Sequence, residues 1–150
     1  MNRQMEFEIT TPERTVLKTL VESATLPTQE GEITVLPGHV PLVANLVPGM
    51  VTLRVNGEDQ YLACSGGFIE VQPTGTGGRI IILADTAERA EELDMAKVEE
   101  ARERARQALA NRRAADDVAT AAAAAAMERE LSRLKVARKH RSRGVPEPRG

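Results

Sequence analysis

Tryptophan is absent from this chain of 150 residues, which holds one tyrosine and two phenylalanines. Any core must therefore be aliphatic, and single-stranded nucleic acid, which binds largely by stacking on aromatic rings, finds little to bind. Cys64 is the only cysteine, so an internal disulfide is excluded and a reducing compartment is suited. No apolar run approaches the roughly 20 residues that span a bilayer. Met1–Met5 leads into an alternating strand pattern and not into the apolar stretch of a secretory signal. A cytoplasmic protein without a transmembrane segment is expected. The two histidines, His39 and His140, lie far apart, and no Cys/His cluster has metal-ligand spacing. The glycine loop at 75–78 lacks the Lys-Ser/Thr of a phosphate-binding loop and opens no helix. Nothing here reads as catalytic machinery, and Cys64, inside a strand pattern, reads as a small core residue.

What is present divides in two by charge. Residues 1–85 carry 5 basic and 10 acidic side chains, whereas residues 86–150 carry 15 and 12. The positive charge gathers at the end: residues 128–150 hold 8 basic and 3 acidic groups. The composition divides at the same place. Short β-patterned runs fill the first part, and the second holds the alanine-rich run Ala119–Ala126. Alanine favours helix but buries little area, so such a helix forms readily and docks weakly.

Met5–Thr10 alternates apolar and polar residues as a half-buried strand does, and Thr11–Arg14 reads as a turn. Thr15–Leu26 is strand-like and stops at Pro27; Gly31–Leu36 is a strand ended by Pro37-Gly38. Met50–Val55, Asn56-Gly57 and Glu58–Cys64 form the strongest local signal, a hairpin with a type I′ turn. Phe68–Gln72 and Arg79–Leu83 flank a longer loop. The predicted fold class is α+β: an antiparallel β-sandwich of about ten short strands over residues 1–85, then an antiparallel α-helical hairpin over 86–141 and a disordered tail over 142–150. Asp85 with Glu88 predicts the cap of the first helix, over residues 86–110. Asp116 or Asp117 predicts the cap of the second, which carries Val118, Met127, Leu131 and Leu134 at helical spacing and frays beyond His140.

Four stretches carry a resemblance: Thr11-Pro-Glu-Arg14, Gly31-Glu-Ile-Thr-Val-Leu-Pro-Gly-His-Val-Pro-Leu42, Ser65-Gly-Gly-Phe-Ile-Glu-Val-Gln-Pro73, and Leu83–Ala90 with Leu93-Asp94. In order and spacing they resemble the epsilon subunit of the bacterial F-type rotary ATP synthase, over about residues 5–95. The resemblance implies a non-catalytic subunit of the central stalk, on the cytoplasmic membrane face. Its partners would be the gamma subunit, the c-subunit ring and, when the helices extend, the catalytic beta subunit with alpha. It implies coupling of proton flow to ATP synthesis and restraint of ATP hydrolysis by the mobile helices. Glu32 and His39 fall where the family faces the c-ring, although His39 equally suits ordering of the Pro37–Pro41 turn. Arg129, Arg133, Lys135, Arg138 and Lys139 fall on the inhibitory helix, suited to an acidic segment of the catalytic subunit.

Some family members bind ATP through an Ile/Leu-Asp-x-x-Arg-Ala motif. Here Leu93-Asp94-Met95-Ala96-Lys97-Val98 stands in its place, and lysine cannot reproduce the planar fork of a guanidinium. No cofactor is expected, and ATP binding is expected to be weak or absent. Two other readings compete on residues alone. One is a β-sandwich adaptor whose basic helix binds nucleic acid or anionic membrane. The other is a small metalloenzyme, which a lone His39 serves poorly.

Overall fold

The computed structural model describes residues 3–111 and 117–143. Eight strands come first: β1 (Met5–Thr10), β2 (Thr15–Val21), β3 (Ser23–Thr28), β4 (Gly31–Val35), β5 (Leu42–Leu46), β6 (Gly49–Val55), β7 (Glu58–Gln72) and β8 (Arg79–Arg89). A single 3-10 turn, Ala90–Glu92, leads to helices α1 (Met95–Ala110) and α2 (Asp117–Arg143). Strand order is β2-β1-β8-β7-β5-β3-β4, with β6 bridging β3 and β7. The inward faces of all eight strands meet in one aliphatic cluster, so the sheet closes over itself as a two-layer sandwich. Alternation explains the core: Met5, Phe7 and Ile9 point in from β1, and Ile80 and Ile82 from its neighbour β8.

The long strand β7 organises both layers. Its first half pairs with β6 from Val55↔Glu58 to Gly49↔Cys64, and its second half pairs with β5 from Leu46↔Gly67 to Leu42↔Val71. β8 runs antiparallel beside both halves, from Gln72↔Arg79 to Leu62↔Arg89. Glu58–Cys64 and Phe68–Gln72 are thus one strand, which is part of why eight strands stand where about ten were expected. The pairing of β1 with β8 is parallel, although an all-antiparallel sheet was expected. Asn56 and Gly57 take φ of 50° and 78°, as the predicted type I′ turn requires.

Three expectations need correction. Thr15–Leu26 is two strands that break at Glu22, and Pro27 lies inside β3. Proline is tolerated there because its carbonyl accepts from Val47 N (3.1 Å), between the stretch of β3 that pairs with β6 and the single residue that pairs with β5. No ladder bond on that side calls for its missing N–H. Asp85 caps no helix. β7 still offers a partner there, so β8 continues through Arg89, with Thr86 bonded to Ser65 Oγ through its hydroxyl (2.7 Å) and amide (3.0 Å). The cap of α1 is Asp94, whose carboxylate accepts from Ala96 N (3.0 Å) and Lys97 N (3.4 Å). Finally, α2 continues past His140 to Arg143. Of the two expected caps Asp117 is the first residue of α2, while Asp116 and the segment 144–150 lie outside the described residues.

Cys64 is buried among the core strands, and burial pushes its thiol up to about 12 despite a contact to the Gly49 carbonyl. Gly67 marks the point where β7 leaves one layer for the other. Its φ is +147°, and an added Cβ would overlap the Leu83 carbonyl oxygen and lie 2.9 Å from Ala84 Cα, both backbone atoms. Backbone strain and this overlap both oppose a side chain. Gly67→Ala is expected to destabilise the fold by about 3 kcal/mol or more, read as a lower denaturant midpoint.

Candidate functional site

Three surfaces bear on function, and the first was not anticipated. Across the outer face of β5, β7, β8 and β1 the register aligns Asn45, Phe68, Leu83 and Thr10 in one row. Phe68 and Leu83 are 60% and 57% exposed, and Val43 nearby is 74% exposed. A groove of about 310 Å³ runs beside them, lined also by Pro12, Gly67 and Ala84. Single exposed apolar residues are ordinary, but an aromatic and two aliphatic side chains on one flat sheet face make this a candidate contact surface. The signal was readable: in Phe68-Ile-Glu-Val-Gln72, Phe68 shares its phase with Glu70 and Gln72, opposite the buried Ile69 and Val71.

The second surface is the sandwich end that carries the turn after β4. His39 sits there with its ring Nδ1 2.6 Å from the Val40 carbonyl, and its backbone N–H donates to Leu36 O (3.0 Å). Gly38 N donates to Gly77 O (2.8 Å), which ties this turn to the β7–β8 loop. The imidazole therefore helps order its own turn. Leu36 and Val40 flank it and are exposed. Glu32 is exposed at the start of β4, opposite Pro27, so the two candidates lie toward opposite ends of a five-residue strand.

The third surface is the helical hairpin. Glu99 at the start of α1 meets Arg138 late in α2 (3.3 Å), so the helices run antiparallel. Of the expected stripe, Leu134 is buried and Met127 partly so, whereas Val118 is exposed and Leu131 is 43% exposed. Docking falls instead on the basic end. Val136 is fully buried against Tyr61, Ala63 and Ala90, with Met50 and Leu93 at the margin. Arg143 lies over the Tyr61 ring, 5.6 Å from its centroid, and donates to the Asp59 carbonyl. Burying Val136 contributes about 1.5–3 kcal/mol and the cation–π contact about 0.5–1 kcal/mol, to which the covered faces of Tyr61, Ala63 and Ala90 add.

Of the five basic candidates, three are already paired. Arg133 places Nε 2.5 Å from Glu88 of β8 and Nη1 2.7 Å from Glu130. Burial opposes the charge of Arg133, but the Glu130 hydrogen bond and the Glu88 charge outweigh it and hold its pKa above the ordinary value. Arg129 reaches Glu130 (3.4 Å), and Arg138 reaches Glu99. Lys135 and Lys139 make no ion pair among the described residues and line a cleft of about 430 Å³ with Arg102 and Leu134. Asp94 is occupied as the helix cap, and exposed Lys97 lies one helical turn into α1. Among the described residues, no three His, Cys, Asp or Glu side chains gather as a metal site, and no helix is long and apolar enough to cross a membrane.

The profile of the ATP synthase, Delta/Epsilon chain, beta-sandwich domain matches residues 4–90. The chain belongs to the ATP synthase epsilon chain family. Its likeness to family members continues through the hairpin. An ATP synthase epsilon chain from Herpetosiphon aurantiacus is 42% identical over 93% of this chain and 98% of its own length. One from Moorella thermoacetica is 44% identical over 89% and 96%. Among solved structures, a chain of the Euglena gracilis mitochondrial ATP synthase (OSCP/F1/c-ring) superposes with a TM-score of 0.72 at 29% identity, over 90% of this chain and 81% of that one. A chain of the Tetrahymena thermophila central stalk and c-ring shares the fold at a TM-score of 0.56 and 18% identity.

Proposed function

We propose that this chain is a non-catalytic rotor subunit in the central stalk of an F-type ATP synthase, coupling proton translocation to ATP synthesis and restraining hydrolysis through α1 and α2. The observation that carries the reading is likeness across both parts, sandwich and hairpin, to epsilon chains and to a chain of an F1/c-ring assembly. The Phe68–Leu83 face suits docking on the gamma subunit, because it offers flat apolar area at Phe68, Leu83 and Val43, rimmed by Glu70 and Asp85. The turn bearing His39 suits the polar loops of the c-ring, and Glu32, toward the other end of β4, would contact them only if the ring reached along that strand. Both placements put the protein at the cytoplasmic membrane face as a peripheral component.

The helices would leave the sandwich and reach the catalytic beta subunit and alpha, with Arg129, Arg133, Lys135, Arg138 and Lys139 meeting acidic groups there. A seat of a few kcal/mol supports this, since a two-state arm needs two docked arrangements of similar free energy. Binding of the same helix to nucleic acid or anionic membrane is the weaker reading. The chain has few aromatic rings for single strands to stack on, and Glu128 and Glu130 interrupt the basic run that phosphates or lipid headgroups would need.

Replacing Phe68 and Leu83 together with arginine is expected to lower capture by the gamma subunit at least about a hundredfold in a pull-down titration, since both would bury a charge. The second test concerns the arm. Cutting at residue 86 would strip the β7–β8 ladder of its last pairs, so deletion of 94–150 is the cleaner variant. Synthase assembled with it should form normally and hydrolyse ATP several-fold faster; an unchanged rate across ATP concentrations and proton-motive force would sink the inhibitory role. Nucleotide should have little hold on the arm. Calorimetric titration of the full chain with Mg-ATP is expected to give no binding tighter than about 100 μM, because Lys97 replaces the forked arginine.

A further inference from the structure

Glu88 and Glu130 meet Arg133 where α2 crosses the end of β8, and this meeting has features that a solvated surface pair lacks. Glu130 is 4% exposed, which is rare for a carboxylate and requires a partner. Arg133 supplies it, and at the same time reaches across to Glu88, 45 residues away in sequence. Arg129 closes the cluster from the solvent side through Glu130. The cluster lies one helical turn from Val136, the apolar residue fully buried on the sandwich.

We infer that Glu88 is the home catch of the regulatory arm: its carboxylate holds Arg133 on the sandwich, so that α2 leaves only when a competing acidic surface takes over that guanidinium. Home docking and engagement elsewhere then exclude each other through one side chain. Arg143 adds a contact to a neutral group nearby, donating to the backbone carbonyl of Asp59, while Glu99 with Arg138 ties α2 to α1 and not to the sandwich. This inference deepens the proposed restraint of hydrolysis, but its central claim concerns the free chain and is tested there.

The chain carries its own probe. Tyr61 is the only tyrosine, there is no tryptophan, and the ring is 6% exposed beneath α2. Acrylamide quenching of its fluorescence in the full chain therefore reads docking directly. Glu88→Gln is expected to raise the fraction of open arm about tenfold, and Glu88→Arg further, with the denaturant midpoint of the sandwich unchanged. Glu88→Asp, which keeps the carboxylate, should leave quenching near the parent value, which a merely local packing role would not predict. Should Glu88→Gln disturb β8, seen as a lowered denaturant midpoint, Glu88→Arg compared with Glu88→Lys reads the charge alone. Equal quenching in the parent, Glu88→Gln and Glu88→Arg, or a Glu88→Asp variant as open as Glu88→Gln, would overturn the catch. In assembled synthase Glu88→Gln should slow hydrolysis, because a released arm inhibits more often. If Tyr61 opens while hydrolysis stays unchanged, the catch stands and the inhibitory reading falls.

Discussion

The ladder between β7 and β8 is the constraint on which the rest depends. It spans Gln72↔Arg79 to Leu62↔Arg89, alongside both the β5-paired and the β6-paired halves of β7. Its inward side chains, Ile69, Val71, Ile80 and Ile82 at one end and Leu62, Cys64, Ala84 and Ala87 further on, supply much of the core. Its outward side chains at Phe68 and Leu83 supply the apolar contact face. Because β8 stays paired until Arg89, the chain leaves the sheet beside Tyr61 and Ala63, where α2 later docks. The 3-10 turn Ala90–Glu92 is fixed there from outside: Glu92 accepts from Arg14 (2.9 Å) and from the Arg89 backbone (2.9 Å). Burial raises the pKa of Glu92, but these donors outweigh it and hold the carboxyl below its usual range.

The hairpin obeys a different balance. The exposed alanine run of α2 contributes helix propensity and almost no buried area, so it is a lever and not an anchor. Anchoring is concentrated in the last two turns or so of contact, at Val136 and the neighbouring charges. An apolar seat alone would resist release by any partner, since leaving it exposes Tyr61, Ala63 and Met50 to water. A purely ionic seat would be worth little beside solvent, where screened pairs contribute about 0–1 kcal/mol. The combination, one buried valine beside a half-buried guanidinium, gives a seat weak enough to leave and specific enough to return to.

Much of this was legible in the residues. Binary alternation located β1, β4, β6 and the second half of β7, and Asn56-Gly57 announced its hairpin, because turns and half-buried strands are local phenomena. The failures share a cause: each was settled by a partner distant in sequence. Asp85-Thr-Ala-Glu88 has the local chemistry of a helix start, yet β7 supplies a ladder to Arg89 and the ladder wins. Pro27 reads as a stop until the gap beside it in the pairing of β3 is known. Of the helical stripe of Val118, Met127, Leu131 and Leu134 only Leu134 is buried, and Val136, off that stripe, is the residue that joins the sandwich cluster. Arg133 was singled out for its charge, whereas its engagement with Glu88 depends on how the hairpin folds back.

That last point bears on how such an arm can be regulated. A basic helix that seeks an acidic partner must be kept from the carboxylates of its own subunit, or else be matched to them. This chain takes the second course: Arg129, Arg133 and Arg138 each meet Glu130, Glu88 or Glu99 in the folded arrangement. In the proposed switch charge would act at both ends of the equilibrium, through Glu88 on the sandwich and through acidic groups elsewhere, leaving smaller contributions such as the Val136 seat to decide the difference. A nucleotide held between the helices would add a contribution on the folded side. With Lys97 in place of the forked arginine that contribution would shrink, and the balance would rest on the contest for Arg133.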